Sequence, residues 1–237
     1  MHSYSRLFYS GAVPDNSLLA DGALTYWNGE ILDWQMLQMA VNGAPVGTTI
    51  TLGADCFASY TTDSALYVAG GKSITIDLKG HAIDRNLADR DPEVYGNEGY
   101  VIKNEGTLTI TDSVGGGKIT GGNCNGNGGG IVNAGTLTLT GGSITSNTAG
   151  ESGGGVWNQA GGVFTLTGGS ITGNQAQGTS GSGVGGGILN AGTLKISGKP
   201  VVCDNTAACN WEERQRSDPS CTENAKSVFR DRLLWAF

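Results

Sequence analysis

Four stretches of this chain can be written one beneath another. NEGTLTITDSVGGGKITGG begins at Asn104, NAGTLTLTGGSITSNTAG at Asn133, NQAGGVFTLTGGSITGNQAQ at Asn158 and NAGTLKISGKPVVCDNTA at Asn190, so the starts lie 29, 25 and 32 residues apart. Self-similarity at such a period marks a solenoid: one unit cannot bury its apolar face alone, and only stacking on its neighbours closes a core. The composition agrees, with 41 glycines and only 15% charged residues in 237, while 38% hydrophobic content is enough for a core and argues against wholesale disorder.

Each unit carries three short apolar segments, T-L-T-L-T, G-S-I-T and G-G-G-I/V, separated by Gly and Asn, which tolerate the positive φ of sharp corners. Three strands per turn predict an all-β fold, a right-handed parallel β-helix of about six coils. Alternation along a strand sends Leu108 and Ile110, Leu137 and Leu139, Phe164 and Leu166, and Leu194 and Ile196 inward, with threonines between them facing out. Ile119, Ile144, Ile171 and Val201 form a second expected interior column, and Ile131, Val156 and Ile188 a third. Asn104, Asn133, Asn158 and Asn190 recur at one corner and Asn147, Asn174 and Asn205 at another, where stacked amides can hydrogen-bond from coil to coil. Insertions fall just before the triple glycine, so variable loops project there and are expected to serve binding.

Upstream, Thr48 to Leu52, Ala65 to Val68 and Ser73 to Ile83 continue the strand pattern with less glycine and read as the first coils. Trp34, Leu37 and Val41 share one helical face behind an Asp33 N-cap and before Gly43, predicting a short helix over the open end of the core. From Trp211 the repeat stops, and the last residues hold ten charges, five of each sign. A helix from about Ala225, with Val228, Phe229, Leu233 and Trp235 apolar, is one reading of this tail; truncation or a reading-frame artefact is the other. The chain therefore divides into an N-terminal segment with its capping helix (1–43), the β-helix (44–210) and the tail (211–237).

A net charge of −7, with no basic stripe, excludes nucleic acid as a natural partner and disfavours acidic polysaccharide. The five cysteines, Cys56, Cys124, Cys203, Cys209 and Cys221, show no C-x-x-C spacing, so neither a zinc site nor a disulfide framework is expected, and a single bridge from Cys203 to Cys209 or Cys221 is left open. No metal site and no cofactor are expected. No stretch reaches the roughly 18 apolar residues of a membrane span, and Met1 to Ala23 lacks the basic start and apolar run of a secretory signal.

SITIDLKGHAIDRN, KNEGTLTITDS and the repeated G-G-x-I-x-x-N resemble the β-helix repeats of large bacterial cell-surface, adhesin-type proteins, of pectate-lyase-like fold, over about Ile50 to Ala208. The resemblance implies an extracellular or cell-surface parent protein, of which this chain is a piece, contacting carbohydrate or a host-surface glycan without catalysis. The pectin-degrading hydrolases of this fold carry N-T-D, D-D, G-H-G and R-I-K motifs; this chain offers Asn147-Thr148-Ala149, a lone Gly80-His81-Ala82, and neither of the others.

The stretch His81 to Tyr100 packs seven charged residues and two tyrosines into one insertion, whereas Glu151 is the only charge between Gly121 and Leu194. His81, Arg85, Arg90, Tyr95 and Tyr100 are the expected ligand-binding residues. The alternative is a glycoside hydrolase or polysaccharide lyase using Asp77, Asp84 or Asp112, since carboxylates on neighbouring coils could approach as glycosidase acids do; the bland reading makes them turn residues. Gly181-Ser-Gly-Val-Gly-Gly186 matches G-x-G-x-x-G literally, but no βαβ unit surrounds it, so no dinucleotide site is expected. Outward Thr107, Thr109, Thr111, Thr136, Thr138, Thr140, Thr165 and Thr167 form a hydroxyl array similar to that of ice-binding solenoids, interrupted by Val163 and Lys195.

Overall fold

The structure, a computed structural model, describes residues 33–59, 62–178, 183–208 and 228–230. The N-terminal segment before Asp33, Gly181 of the G-x-G-x-x-G stretch and most of the tail lie outside the described residues. The chain winds as a right-handed parallel β-helix of about five turns. Its first sheet stacks Thr48–Thr51, Ser73–Asp77, Thr107–Thr111, Thr136–Leu139, Val163–Leu166 and Thr193–Ile196. The second stacks Cys56–Phe57, Ala82–Asp84, Lys118–Thr120, Ser143–Thr145, Ser170–Thr172 and Val201–Cys203. A narrow third holds Asn123–Cys124, Thr148–Ala149, Gln175–Ala176 and Thr206–Ala207, and a fourth runs from Leu66–Val68 through Ile102–Asn104, Ile131–Asn133, Val156–Asn158 and Ile188–Asn190. The six expected coils are the six strands of the first sheet, which enclose five full turns.

Alternation places the core as the sequence predicts. Leu108, Ile110, Leu137, Leu139, Phe164 and Leu166 are fully buried, as are Ile119, Ile144 and Ile171 in the second column and Ile131, Val156 and Ile188 in the third. The last coil departs from expectation. Leu194 is only partly buried and Ile196 is 55% exposed, because among the described residues their strand has a neighbour on one side only. In the second column Ile171 faces Val202 rather than Val201, which is 50% exposed. Lys199-Pro200 replaces the usual Gly-Ser step, and a one-residue slip exchanges the faces of a strand.

Both asparagine corners form ladders. Asn104 donates through Nδ2 to Oδ1 of Asn133 at 2.7 Å, Asn133 to Asn158 at 2.7 Å and Asn158 to Asn190 at 2.6 Å. Asn147 donates to Asn174 at 3.0 Å and Asn174 to Asn205 at 2.9 Å. The helix spans Trp34–Gly43, its first turn capped by Asp33, which accepts from the Met36 N–H at 2.7 Å. Trp34, Leu37 and Val41 are buried over the first coil. At the other end, Val228–Arg230 pairs in parallel with Ile188–Asn190 as a strand, where the apolar spacing predicts helix. An open sheet edge and a β-prone Val-Phe pair outweigh helical periodicity there.

Cys203 is a free thiol; Cys209 and Cys221, the partners left open for it, lie outside the described residues. Burial pushes the Cys56 thiol up to about 12, with the Asp33 and Asp55 carboxylates adding to it, and burial pushes Cys124 up to about 11. Cys203 is also raised, by its hydrogen bond to Asp204, but it is partly exposed. Thiolate fraction and access both govern alkylation. Iodoacetamide treatment at about pH 8 followed by peptide mapping is expected to label Cys203 while leaving Cys56 and Cys124 unmodified in the native protein.

Candidate functional site

The three aspartates are corner residues. Asp77 Oδ1 accepts from the N–H of Lys79 at 3.0 Å and from that of Ser113 on the next coil at 2.9 Å. Asp112 accepts from Gly80 at 2.7 Å and Gly115 at 3.1 Å through Oδ1, and from Gly117 at 2.7 Å through Oδ2. Asp84 Oδ1 accepts from Asn86 at 2.8 Å. Each carboxylate thus closes a turn, and Asp77 and Asp112 also stitch one coil to the next.

A shallow groove of about 410 Å³ runs past Asp112, lined otherwise by Gly115, Gly116, Gly117, Gly141, Gly142, Ser143, Gly169 and Ser170. Among the described residues Asp112 is its one carboxylate, whereas glycoside hydrolysis in its usual form uses a pair. Burial would raise the Asp77 carboxyl, but hydrogen bonds from the Ser113 N–H and hydroxyl and from the Lys79 N–H, with the Lys79 charge nearby, outweigh it and hold the group below its ordinary 3.8. A carboxyl so placed is a poor proton donor near neutral pH.

A carboxyl whose folded pKa is lowered adds stability above its unfolded pKa and loses it as pH falls through the folded value. Asp77→Asn keeps an acceptor oxygen without the charge. Urea unfolding of the two proteins should therefore show wild type ahead by a constant margin above about pH 5, the margin closing below the ordinary value of 3.8.

The His81 to Tyr100 stretch does not converge as a whole. His81 Nδ1 lies 3.4 Å from Asp55 Oδ1, which also accepts from the Ala82 N–H at 2.9 Å, so this pair belongs to the corner before the second sheet. The Arg90 side chain is exposed, and its carbonyl accepts from Asn123 Nδ2 at 2.8 Å, fastening the loop to the next coil. Tyr100 is buried, and burial raises its hydroxyl pKa.

Arg85 and Tyr95 do come together. Both line a cavity of about 610 Å³ whose other walls are Thr62, Asp63, Ser64, Ala65, Val94 and Glu98. That volume lies in the range of small-molecule sites. Short 3₁₀ turns at Pro92–Val94 and Gly96–Glu98 carry the loop side of this wall. The opposite side is the turn before Leu66–Val68, where Asp63 is held by accepting from the Ser59 N–H at 2.7 Å.

Arg85 is the unusual member. Asp84 pairs with Thr120, so Arg85 stands in register with the corner Gly121 of the next coil, and its N–H donates to Thr120 O at 2.9 Å. The residue is only 3% exposed, with its guanidinium carbon 5.9 Å from the centre of the Trp34 ring of the capping helix. Nε and Nη1 are buried without a hydrogen-bond partner. Burial lowers its pKa while the nearby Asp63, Tyr95 and Tyr100 oppose that shift. Buried donors are nearly always satisfied, and each one left unsatisfied costs about 1–3 kcal/mol.

The sequence singles out Arg85 and Tyr95 but not Thr62, Asp63 or Ser64, which lie some twenty residues upstream in a short polar turn without any composition signal. Glu98 lies inside the charged insertion, and only the fold turns it toward the same cavity as Asp63.

The threonine face is regular in register: Thr49, Thr75, Thr109, Thr138 and Thr165 align across consecutive strands of the first sheet before Lys195 ends the column. At its edge the Thr140 hydroxyl donates to Ile110 O at 3.1 Å and that of Thr167 to Leu139 O at 3.4 Å, so these hydroxyls serve the backbone. Among the described residues no group of three or more His, Cys, Asp or Glu side chains is placed to hold a metal ion, and no helix is long and apolar enough to cross a membrane. No known protein family, curated protein or solved structure matches this chain.

Proposed function

We propose that this chain is a non-catalytic, adhesin-like β-helix that offers a loop-walled cavity for contact with carbohydrate. The observation that carries this reading is the cavity of about 610 Å³ between the Thr62–Ala65 turn and the Val94–Glu98 loop, with Arg85 and Tyr95 in its walls. Binding residues concentrate on loops held by a rigid scaffold, and concave sites use a few placed polar groups to fix a ligand, here offered by Asp63, Arg85, Tyr95 and Glu98. The likeness of its Gly-, Thr- and Asn-rich repeats to bacterial cell-surface proteins supports an extracellular setting. Pectate-lyase-like enzymes share the architecture, but Asp77, Asp84 and Asp112 are committed to corners by backbone N–H groups.

The test is to pass the purified protein over immobilised plant, microbial and host glycans while assaying the same glycans in solution for reducing ends and unsaturated products. Retention without release is expected. Release that disappears in Asp77→Ala or Asp112→Ala would replace this reading with a glycoside hydrolase or lyase.

A further inference from the structure

We infer that Asn125 is a self-modification site, at which the Gly126 nitrogen closes on the Asn125 side-chain amide and water reopens the ring to aspartate or isoaspartate. The reaction needs only the chain and water. The Gly126 N–H gives its proton to water and its nitrogen bonds to Asn125 Cγ; the Cγ–Nδ2 bond breaks, and the amide nitrogen takes up a proton and leaves as ammonia. Water then adds to one carbonyl of the cyclic imide. Opening on one side leaves aspartate, and opening on the other leaves isoaspartate, whose main chain runs through the side-chain carbon. Glycine in the following position favours closure because no Cβ shields the attacking nitrogen. Whether the reacting atoms are free to meet then sets the rate.

The sequence holds four Asn-Gly pairs, of which Asn28-Gly29 lies outside the described residues. The structure separates the other three. Asn42-Gly43 ends the helix Trp34–Gly43; Asn42 Oδ1 accepts from Gln38 Nε2 at 2.8 Å and its main-chain carbonyl accepts from the Lys72 ammonium. In Asn127-Gly128 both reacting groups are held by Ser152 of the next coil. Asn127 Oδ1 accepts from the Ser152 N–H at 3.0 Å, and the Gly128 N–H donates to Ser152 O at 3.0 Å. Asn125-Gly126 differs: among the described residues neither the Asn125 side chain nor the Gly126 N–H makes a hydrogen bond. Both asparagines are half-buried, so access to water does not distinguish them, whereas bonding does. Two hydrogen bonds to break, each worth about 1 kcal/mol net, slow closure at Asn127 about tenfold or more.

The site also sits where its products matter to the fold. The Asn125 N–H donates to Gly96 O of the preceding coil at 2.8 Å, and Gly126 O accepts from the Glu151 N–H of the following coil at 3.1 Å. Contact is close here, since a Cβ on Gly150 would lie 2.8 Å from Asn125 Cα. Isoaspartate inserts a methylene into the main chain between these two anchors, and either product adds a negative charge. Gly96 begins the 3₁₀ turn that ends at Glu98, a wall residue of the cavity of about 610 Å³, so conversion at Asn125 acts on the fastening of that wall. The reaction itself is independent of what the cavity binds.

The experiment ages the whole chain at mildly alkaline pH, in buffer and in parallel in urea, then reads Asn42, Asn125 and Asn127 separately by proteolysis and fragment-ion mass spectrometry. Isoaspartate is counted with protein isoaspartyl methyltransferase. In urea all three pairs are released and are expected to convert at similar rates. In the folded protein Asn125 is expected to convert about tenfold or more faster than Asn127 and Asn42. Equal folded-state rates at Asn125 and Asn127, or an Asn125 that stays intact when folded while it converts in urea, would overturn the inference. Gly126→Ala tests the nucleophile: its added Cβ comes nearest to Oδ1 of the exposed Asn97 side chain, at 2.9 Å, which can move aside. Conversion at Asn125 should slow in this variant while Asn127 is unchanged, and an unaltered Asn125 rate would contradict attack by the Gly126 nitrogen.

Discussion

Asn133→Ala is expected to destabilise the β-helix by about 3 kcal/mol. Asn133 is fully buried in the middle of its ladder. Its Oδ1 accepts from Asn104 Nδ2 at 2.7 Å, and its Nδ2 donates to Asn158 Oδ1 at 2.7 Å and to the carbonyls of Val163 at 3.1 Å and Gly135 at 3.2 Å. Alanine leaves amide groups of two neighbouring asparagines short of a partner in a site that water does not reach, and each such loss costs about 1–3 kcal/mol. Asn133→Asp separates shape from hydrogen bonding. It preserves the acceptor toward Asn104 but sets a carboxylate oxygen against the Asn158 oxygen, and a buried unpaired charge costs more than a missing group. Urea unfolding followed by circular dichroism should therefore rank wild type above Ala and Ala above Asp; equal stability of the three would mean that the ladder is incidental.

Gly130→Ala is expected to cost about 3 kcal/mol, near the upper end for forced overpacking. A Cβ at Gly130 would run into the carbonyl oxygen of Gly155 on the next coil, 2.9 Å from Ile144 Cγ2 and 3.0 Å from Asn147 Nδ2. At Gly129 it would lie 2.5 Å from Thr148 O and 2.7 Å from Gly154 O. The triple glycine is thus a place where successive backbones touch, with Gly130 N–H donating to Gly154 O at 3.1 Å and Ile131 N–H to Gly155 O at 2.8 Å. The Gly155 carbonyl belongs to the backbone of the next coil and cannot swing aside as the end of a flexible side chain would. Gly70→Ala serves as the control: its added Cβ meets only Glu105 O at 3.9 Å, so its unfolding midpoint should scarcely move. A Gly130→Ala protein as stable as Gly70→Ala would refute close stacking at this corner.

Much of this architecture is legible in the residues themselves because a solenoid repeats its physics. Period-two alternation in Thr107–Thr111 and Thr136–Leu139 can bury only one face, and recurring asparagines at Asn133, Asn158 and Asn190 can pair only if the coils stack in register. Legibility fails where that repetition fails. Val201 and Val202 are equally apolar, so only the strand pairing of Ile171 with Val202 distinguishes inside from outside. Val228 and Phe229 suit either helix or strand, and the free edge of Ile188–Asn190 decides between them.

The candidate site lies in the least repetitive coil, and its legibility is accordingly partial. Charge density alone draws the eye to Arg85 and Tyr95, but equally to Arg90, which is exposed, and to His81, which pairs with Asp55. Asp63 reaches the cavity through the fold, from a turn that precedes the charged insertion. That two nitrogens of Arg85 go unpaired is a property of three-dimensional packing, since any local reading would give an arginine among so many acids a partner.

Carbohydrate contact at the cavity between the Thr62–Ala65 turn and the Val94–Glu98 loop is tested by the NMR ring signals of Tyr95, which lines it, assigned by their loss in Tyr95→Phe and followed as an oligosaccharide retained in the glycan screen is added. The expected result is a shift of these signals that saturates together with binding. A saccharide that binds while the Tyr95 signals stay unmoved would place the contact elsewhere on the molecule.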